Sequence, residues 1–177
     1  MHTLTSEKAA TGLNKALSED RPPLNVLLQV NTSGEDSKSG LPPLSASTDV
    51  ASSELVALAT HVLSACPRLH LHGLMTIGSI AESHAHDRPN QDFDALKETR
   101  AQLHEALRAA KASGKVQRAW GRSDEDDAET LLLSMGMSSD FEDALKAGSD
   151  VVRVGTGIFG ERPKKQDAEV KADIRTD

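Results

Sequence analysis

Two short segments near the end of the chain carry residue types suited to holding an anion: Met135-Gly136-Met137-Ser138-Ser139-Asp140 and Arg153-Val154-Gly155-Thr156-Gly157. Ser138 and Thr156 offer hydroxyls, and Gly155 and Gly157 let the backbone N–H groups approach closely. Ser139 stands three residues before Glu142, the spacing of a capping box, so a helix opening there would add the positive end of its dipole. Each segment follows an apolar run, and ligands of parallel α/β folds gather at the C-terminal ends of strands. Phosphate is the ligand these residues suit. Ordinary turn glycines are the alternative that pattern alone leaves open.

Other spacings carry less. Gly155-x-Gly157-x-x-Gly160 spells a dinucleotide fingerprint, but that motif must open a helix inside a βαβ unit with an acidic ribose partner about 20 residues on. Here the chain turns through Arg162-Pro163 into a polar tail, so the fingerprint fails its context. His70-x-His72 sits on one face of a strand and His84-x-His86 in a loop, yet nothing fixes a third ligand, and no metal site is expected. The acidic run Asp124-Glu125-Asp126-Asp127 lacks the glycine turn and spaced ligands of a calcium loop and reads as a solvated loop. Lys38, in a polar loop, lacks the burial or cationic neighbour that makes an amine nucleophilic near neutrality, which argues against a Schiff base there. No catalytic residue is assigned.

Elements must carry the two anion-binding segments, and periodicity supplies them. Helical stripes run through Ala9, Ala10, Leu13, Ala16 and Leu17, capped by Thr5 or Ser6, and through Leu55, Leu58, Ala59, Val62 and Leu63. A third covers Phe93, Leu96, Leu103, Leu107 and Ala110, with Asn90 as its cap and Gly114 past its end, and a short fourth runs from Ser139 to Gly148. Between them lie strand-like runs at Asn25–Asn31, Leu69–Ile80, Thr130–Met135 and Val151–Val154. Thr32–Ala51 reads as a long loop and Glu82–Gln91 as a mobile one. Helices alternating with buried strands imply a parallel α/β architecture in a single domain.

Composition narrows the partners. The formal charge is −7, the only basic doublet is Lys164-Lys165, and aromatic residues make up 2% of the chain, so phosphate-backbone tracking and base stacking are excluded. Cys66 is the only cysteine, which rules out an intrachain disulfide and fits a reducing compartment. No apolar run approaches the roughly 20 residues of a membrane span, and the N-terminus lacks a signal-peptide pattern. A cytoplasmic protein with neither nucleic-acid nor membrane partners is the expectation.

Taken together, Val26–Leu41 with its Ser33-Gly34-Glu35-Asp36-Ser37-Lys38-Ser39-Gly40 loop, Leu71-His72-Gly73-Leu74-Met75-Thr76-Ile77, Leu133–Phe141 and Val152–Gly160 resemble the pyridoxal phosphate homeostasis proteins. The resemblance extends from the start of the chain to about Arg162. It implies the barrel of the alanine racemase N-terminal type, a (β/α)8 TIM barrel with pyridoxal 5′-phosphate (PLP) at the C-terminal ends of its strands. On that correspondence Ser138, Gly155 and Thr156 form the phosphate cup, and Arg153 faces the pyridine nitrogen. A guanidinium has no acceptor and stays charged, so it cannot share a proton with the ring nitrogen, and the ring remains a weak electron sink. The implied role is a non-catalytic one in PLP (vitamin B6) homeostasis, with apo-PLP enzymes as recipients.

The family's first three strands, including the one that bears its cofactor-binding lysine, have no counterpart here. The chain matches from the fourth strand, with His2–Thr5 as its remnant, so about strands 4–8 are expected. The resulting expectations are a partial PLP-binding barrel domain over residues 1–162 and a polar tail over 163–177. PLP would be held weakly and non-covalently in this truncated chain, and the open sheet edges would invite self-association. Two alternatives stand beside this reading. One is part of a PLP-dependent racemase-like enzyme, which would need a lysine and an opposing tyrosine, and the sequence has no tyrosine. The other is a non-catalytic fragment that pairs with a full-length partner.

Overall fold

The structure is a computed structural model and describes residues 1–84, 88–122 and 130–160. His86, the Asp124–Asp127 run, Lys164-Lys165 and the tail over 163–177 lie outside the described residues. Three parallel strands form the sheet in the order β1 (Leu24–Val30), β2 (Leu69–Thr76), β3 (Leu132–Ser134). Single parallel bridges extend it on both sides: Leu4 to Leu28 and Leu41 to Val30 along β1, and Val151 to Ser134 along β3. The register steps from Val26↔Leu71 to Leu27↔Gly73, which leaves His72 as the extra residue of a bulge. Gly73 is required at this point, because a Cβ there would run into the carbonyl of Leu132 on the adjoining strand.

Among the described residues, six α-helices connect and cover these strands: α1 (Glu7–Ala16), α2 (Glu54–Ala65), α3 (Ile80–Ser83), α4 (Gln91–Ala112), α5 (Phe141–Lys146) and α6 (Thr156–Phe159). A single 3₁₀ turn, Val50–Ser52, breaks the long loop before α2. The caps follow from residue chemistry. The Ser6 hydroxyl accepts from Ala9 N, Ser53 from Val56 N, and Asn90 Oδ1 from both Asp92 N and Phe93 N at 3.0 and 3.2 Å. α4 ends at Ser113, and Gly114 follows with φ 77°.

The expected stripes on α2 and α4 face inward. Leu55, Leu58, Val62 and Leu63 join Phe93, Leu96, Leu103 and Leu107 in one core with Val26, Leu28, Leu71, Leu74 and Leu133 from the sheet. Each such side chain contributes about 1.5–3 kcal/mol on full burial, so these two helices fix the sheet and the ends of its strands. No helix among the described residues is long and apolar enough to cross a membrane.

Four expectations change. β2 stops at Thr76 rather than Ile80, and the stretch read as a mobile loop opens with α3. The fourth strand shrinks to one bridge at Val151, since residues 152–154 leave the ladder once the Arg153 backbone N–H turns to the Gly136 carbonyl (3.1 Å). Ser139 does not cap α5. Asp140 holds that position, and its carboxylate accepts from Met137 N (2.6 Å) rather than from the helix.

Candidate functional site

The two segments singled out by residue type meet at the C-terminal end of the sheet. They enclose an open cavity of about 500 Å³, lined by Met137, Ser138, Ser139, Arg153, Val154, Gly155 and Thr156. That volume lies in the range usual for small-molecule and cofactor sites. All four residues assigned from the sequence, Ser138, Arg153, Gly155 and Thr156, line it. Ser138 and the glycine loop are tied directly, because the Ser138 hydroxyl accepts from Gly155 N (3.0 Å) and Gly157 N (3.3 Å). A Cβ built on Gly155 would meet nothing within 4 Å, so a ligand can approach that backbone freely.

Gly136 makes this arrangement possible. Its φ is 90°, and a Cβ there would overlap the Ala144 side chain, so the turn from β3 toward Ser138 and α5 closes only around glycine. The helix-dipole contribution expected near Ser139 is withdrawn. α5 begins at Phe141, and the buried Asp140 carboxylate stands at its entrance, taking the Met137 N–H for itself. The donors left for an anion are the Thr156 backbone N–H and the Ser138 and Thr156 hydroxyls, since the Gly155 and Gly157 N–H groups already donate to Ser138 Oγ.

Arg153 leans back over the strand ends. Its Nη1 donates to the Ser134 carbonyl (3.2 Å) and hydroxyl (2.8 Å), and its Nη2 donates to the Thr76 carbonyl (2.7 Å). Burial pushes its pKa below the usual guanidinium value, a shift that the Asp140 charge opposes. Thr76 and Ser134, the last residues of β2 and β3, are partners that the motif reading missed. The signal was present all the same: a polar residue at the end of a buried apolar run needs a hydrogen-bond partner, and Ser134 is fully buried.

The remaining candidates fall elsewhere. Lys38 Nζ donates to Glu35 Oε1 (3.0 Å) and to the Gly78 carbonyl (2.8 Å), contacts that do not create the apolar or cationic surroundings of an amine nucleophile. The rings of His70 and His72 do share a face, with centroids 5.7 Å apart, and His70 Nε2–H donates to the Gly121 carbonyl. His84 Nδ1–H donates to the Ile80 carbonyl. Among the described residues no group of three or more His, Cys, Asp or Glu is placed to hold a metal. A second cleft, of about 420 Å³ beside the start of α4, is lined by charges already paired among themselves: Glu82 with Arg88, Asp94 with Lys97, and Asp143 with Lys146.

Residues 1–163 match the family model described as alanine racemase, N-terminal domain. The chain belongs to that family. It is 37% identical to the human pyridoxal phosphate homeostasis protein over 98% of this chain and 57% of that protein. It is 39% identical to the pyridoxal phosphate homeostasis protein of Schizosaccharomyces pombe over 96% of this chain and 59% of that one. The chain therefore spans somewhat over half the length of these relatives. The same family resemblance was carried by the Val26–Leu41, Leu71–Ile77, Leu133–Phe141 and Val152–Gly160 motifs.

Two solved structures of PipY from Synechococcus elongatus extend the similarity to the fold. The one without PLP superposes with TM-score 0.57 at 27% identity, covering 90% of this chain and 60% of that one. The one with PLP bound gives 0.56 at 24% identity, covering 90% and 59%. The architecture is accordingly an α/β, TIM-barrel-like fold of the alanine racemase N-terminal type.

Proposed function

We propose that this chain holds PLP in the cavity between Met137–Ser139 and Arg153–Thr156, without turnover of its own, as part of cytoplasmic PLP homeostasis. The observation that carries this reading is the convergence of Ser138, Arg153, Gly155 and Thr156 on one cavity at the strand ends. The donor set suits the cofactor's phosphate: the Ser138 and Thr156 hydroxyls, the Thr156 N–H in a loop that Ser138 gathers, and an open approach over Gly155. Arg153 then meets the ring nitrogen as a permanent donor. When bound, PLP supplies an aldehyde and a conjugated ring, but an unprotonated ring is a poor electron sink, which favours holding the cofactor over processing an amino acid. Apo-PLP enzymes are the recipients this role implies.

The names of the human and fission-yeast relatives, and the PLP bound in one PipY structure, support the same cofactor. Leu4, β1, β2, β3 and Val151 form five successive parallel segments, which we assign to strands four to eight of the (β/α)8 barrel in a domain over residues 1–162. Both outer edges carry only single bridges, so pairing with a second copy or a full-length relative is the associated proposal; a larger species in size-exclusion chromatography would support it. A racemase-like enzyme is disfavoured, because the chain lacks the opposing tyrosine such chemistry uses.

Titration of the chain with PLP, followed by equilibrium dialysis and visible absorbance, tests the reading. Saturable binding of one PLP per chain is expected, without a stoichiometric band from a covalent lysine conjugate. Such a band in the chain, lost in Lys38→Ala, would overturn the non-covalent assignment and make Lys38 the anchor. Absence of saturable binding would overturn the cofactor assignment.

A further inference from the structure

A fully buried hydroxyl stands between the Arg153 guanidinium and a histidine on the first sheet segment. Ser134 Oγ lies 2.8 Å from Arg153 Nη1 on one side and 3.4 Å from His2 Nδ1 on the other. Arginine has only donors, so Ser134 Oγ must accept from Nη1, and its own single proton needs an acceptor elsewhere. His2 Nδ1 supplies one when the imidazole is neutral with its proton on Nε2. The chain of donation then has one direction, from Arg153 to Ser134 to His2. The guanidinium's other two contacts are the Ser134 and Thr76 backbone carbonyls, which the sheet already holds in place. Ser134 Oγ is therefore the side-chain contact that sets the tilt of the guanidinium plane over the strand ends.

We propose that Ser134, oriented by His2, is a positioning residue that locks the Arg153 guanidinium so that its unengaged N–H donors meet the ring of bound PLP. This rests on the assignment of Arg153 to the ring nitrogen. Three of the five guanidinium donors are engaged by Ser134 and Thr76, which leaves two for a ligand. Because the lock acts on the ring and not on the phosphate, its loss separates two ligands that share a phosphate cup. The effect of Ser134 should also disappear when Arg153 is absent.

The test compares the chain with Ser134→Ala, Ser134→Thr, Arg153→Ala and the Ser134→Ala/Arg153→Ala double variant, with PLP and inorganic phosphate titrated separately. Side-chain ¹⁵N spectra of Arg153 are recorded without ligand. Ser134→Ala is expected to lower PLP affinity by about tenfold, the scale of one charge-assisted hydrogen bond, and to leave phosphate affinity unchanged. Ser134→Thr should restore PLP affinity, and the double variant should lose no more than Arg153→Ala. The Nη resonances of Arg153, separate in the unsubstituted chain, should broaden and move toward one another in Ser134→Ala, as rotation of a guanidinium held only by the two carbonyls speeds up.

Equal losses for PLP and phosphate, additive losses in the double variant, or Arg153 resonances unaltered by Ser134→Ala would each overturn the proposal. If the unsubstituted chain binds phosphate but not PLP, the ring assignment fails, and the spectra alone decide whether Ser134 locks Arg153. Should Ser134→Ala fail to fold, His2→Ala removes the hydroxyl's acceptor without altering the strand. The same selective loss for PLP, in smaller measure, is then expected, and an unchanged Arg153 spectrum would contradict it.

Discussion

Two arginines sit at opposite ends of the sheet and do opposite things with the same chemical group. Arg118 lies at the N-terminal end of β2, where its guanidinium donates to the carbonyls of Val62, Cys66, Pro67 and Leu69. It thereby satisfies acceptors that α2 leaves open at its C-terminus and ties them to the start of β2. Arg153 lies at the C-terminal end, engages only Ser134 and Thr76 among the described residues, and borders an open cavity. Burial pushes both guanidiniums below their usual pKa. One is spent on closing the fold, whereas the other keeps donors in reserve. That is the division between stability and function expected of the two faces of such a barrel.

The sharpest way to break this contrast is to remove each arginine in turn. Arg118→Ala is expected to cost about 2–3 kcal/mol of stability, since several carbonyls lose a charged donor at once, while PLP affinity in the folded fraction stays unchanged. Arg153→Ala should cost less stability than Arg118→Ala, because Arg153 serves fewer acceptors, and should lower PLP affinity at least tenfold. Urea denaturation with parallel PLP titration checks both. Equal stability losses at the two positions would erase the distinction.

A smaller effect belongs to Ser138, whose hydroxyl gathers Gly155 N and Gly157 N. Ser138→Ala should lower affinity for PLP and for inorganic phosphate by a similar factor, about fivefold, because the phosphate cup serves both ligands. Isothermal titration with each ligand reads this directly, and a loss confined to PLP would place Ser138 on the ring instead.

Smallest is a pH effect at His2. Burial lowers its pKa from the ordinary imidazole value, with lesser contributions from the Met1 ammonium and from Arg153. The folded state then binds fewer protons than the unfolded one in the mildly acidic range. Its contribution to stability is complete above the ordinary imidazole pKa and declines as the pH falls from about 7 toward 5. Thermal denaturation across that range should show a shallow decline that His2→Ala flattens. A decline of the same slope in His2→Ala would assign it to other groups.

How much of this was legible in the sequence differs between the two ends of the sheet. The apolar stripes of α2 and α4, the Asn90 cap and the buried run of β1 are local patterns and formed as read, and β2 formed from its expected start but stops short at Thr76. That Ser138, Gly155 and Thr156 would meet at the strand ends was also legible, because hydroxyls and glycines after apolar runs mark the loops that border such a cavity. The Ser139 cap was not, because capping-box spacing is shared by many loops. Here Asp140 intervened with a carboxylate already committed to Met137 N. The shortening of the last strand to one bridge depends on the Arg153 backbone turning to Gly136, a contact 17 residues distant that no local pattern encodes. The roles of Thr76, Ser134 and Arg118 rest on contacts between distant segments in the same way.

The central claim is that PLP's phosphate sits on the Gly155–Gly157 loop beside Ser138, with Arg153 over its ring. Backbone ¹H–¹⁵N spectra of the chain during PLP titration test it most directly. The account predicts saturable shifts of the Gly155, Thr156 and Gly157 amides together with the Arg153 guanidinium signals. Inorganic phosphate should move the three amides and leave Arg153 still. Saturable shifts confined to other parts of the chain, with these amides unmoved, would contradict it.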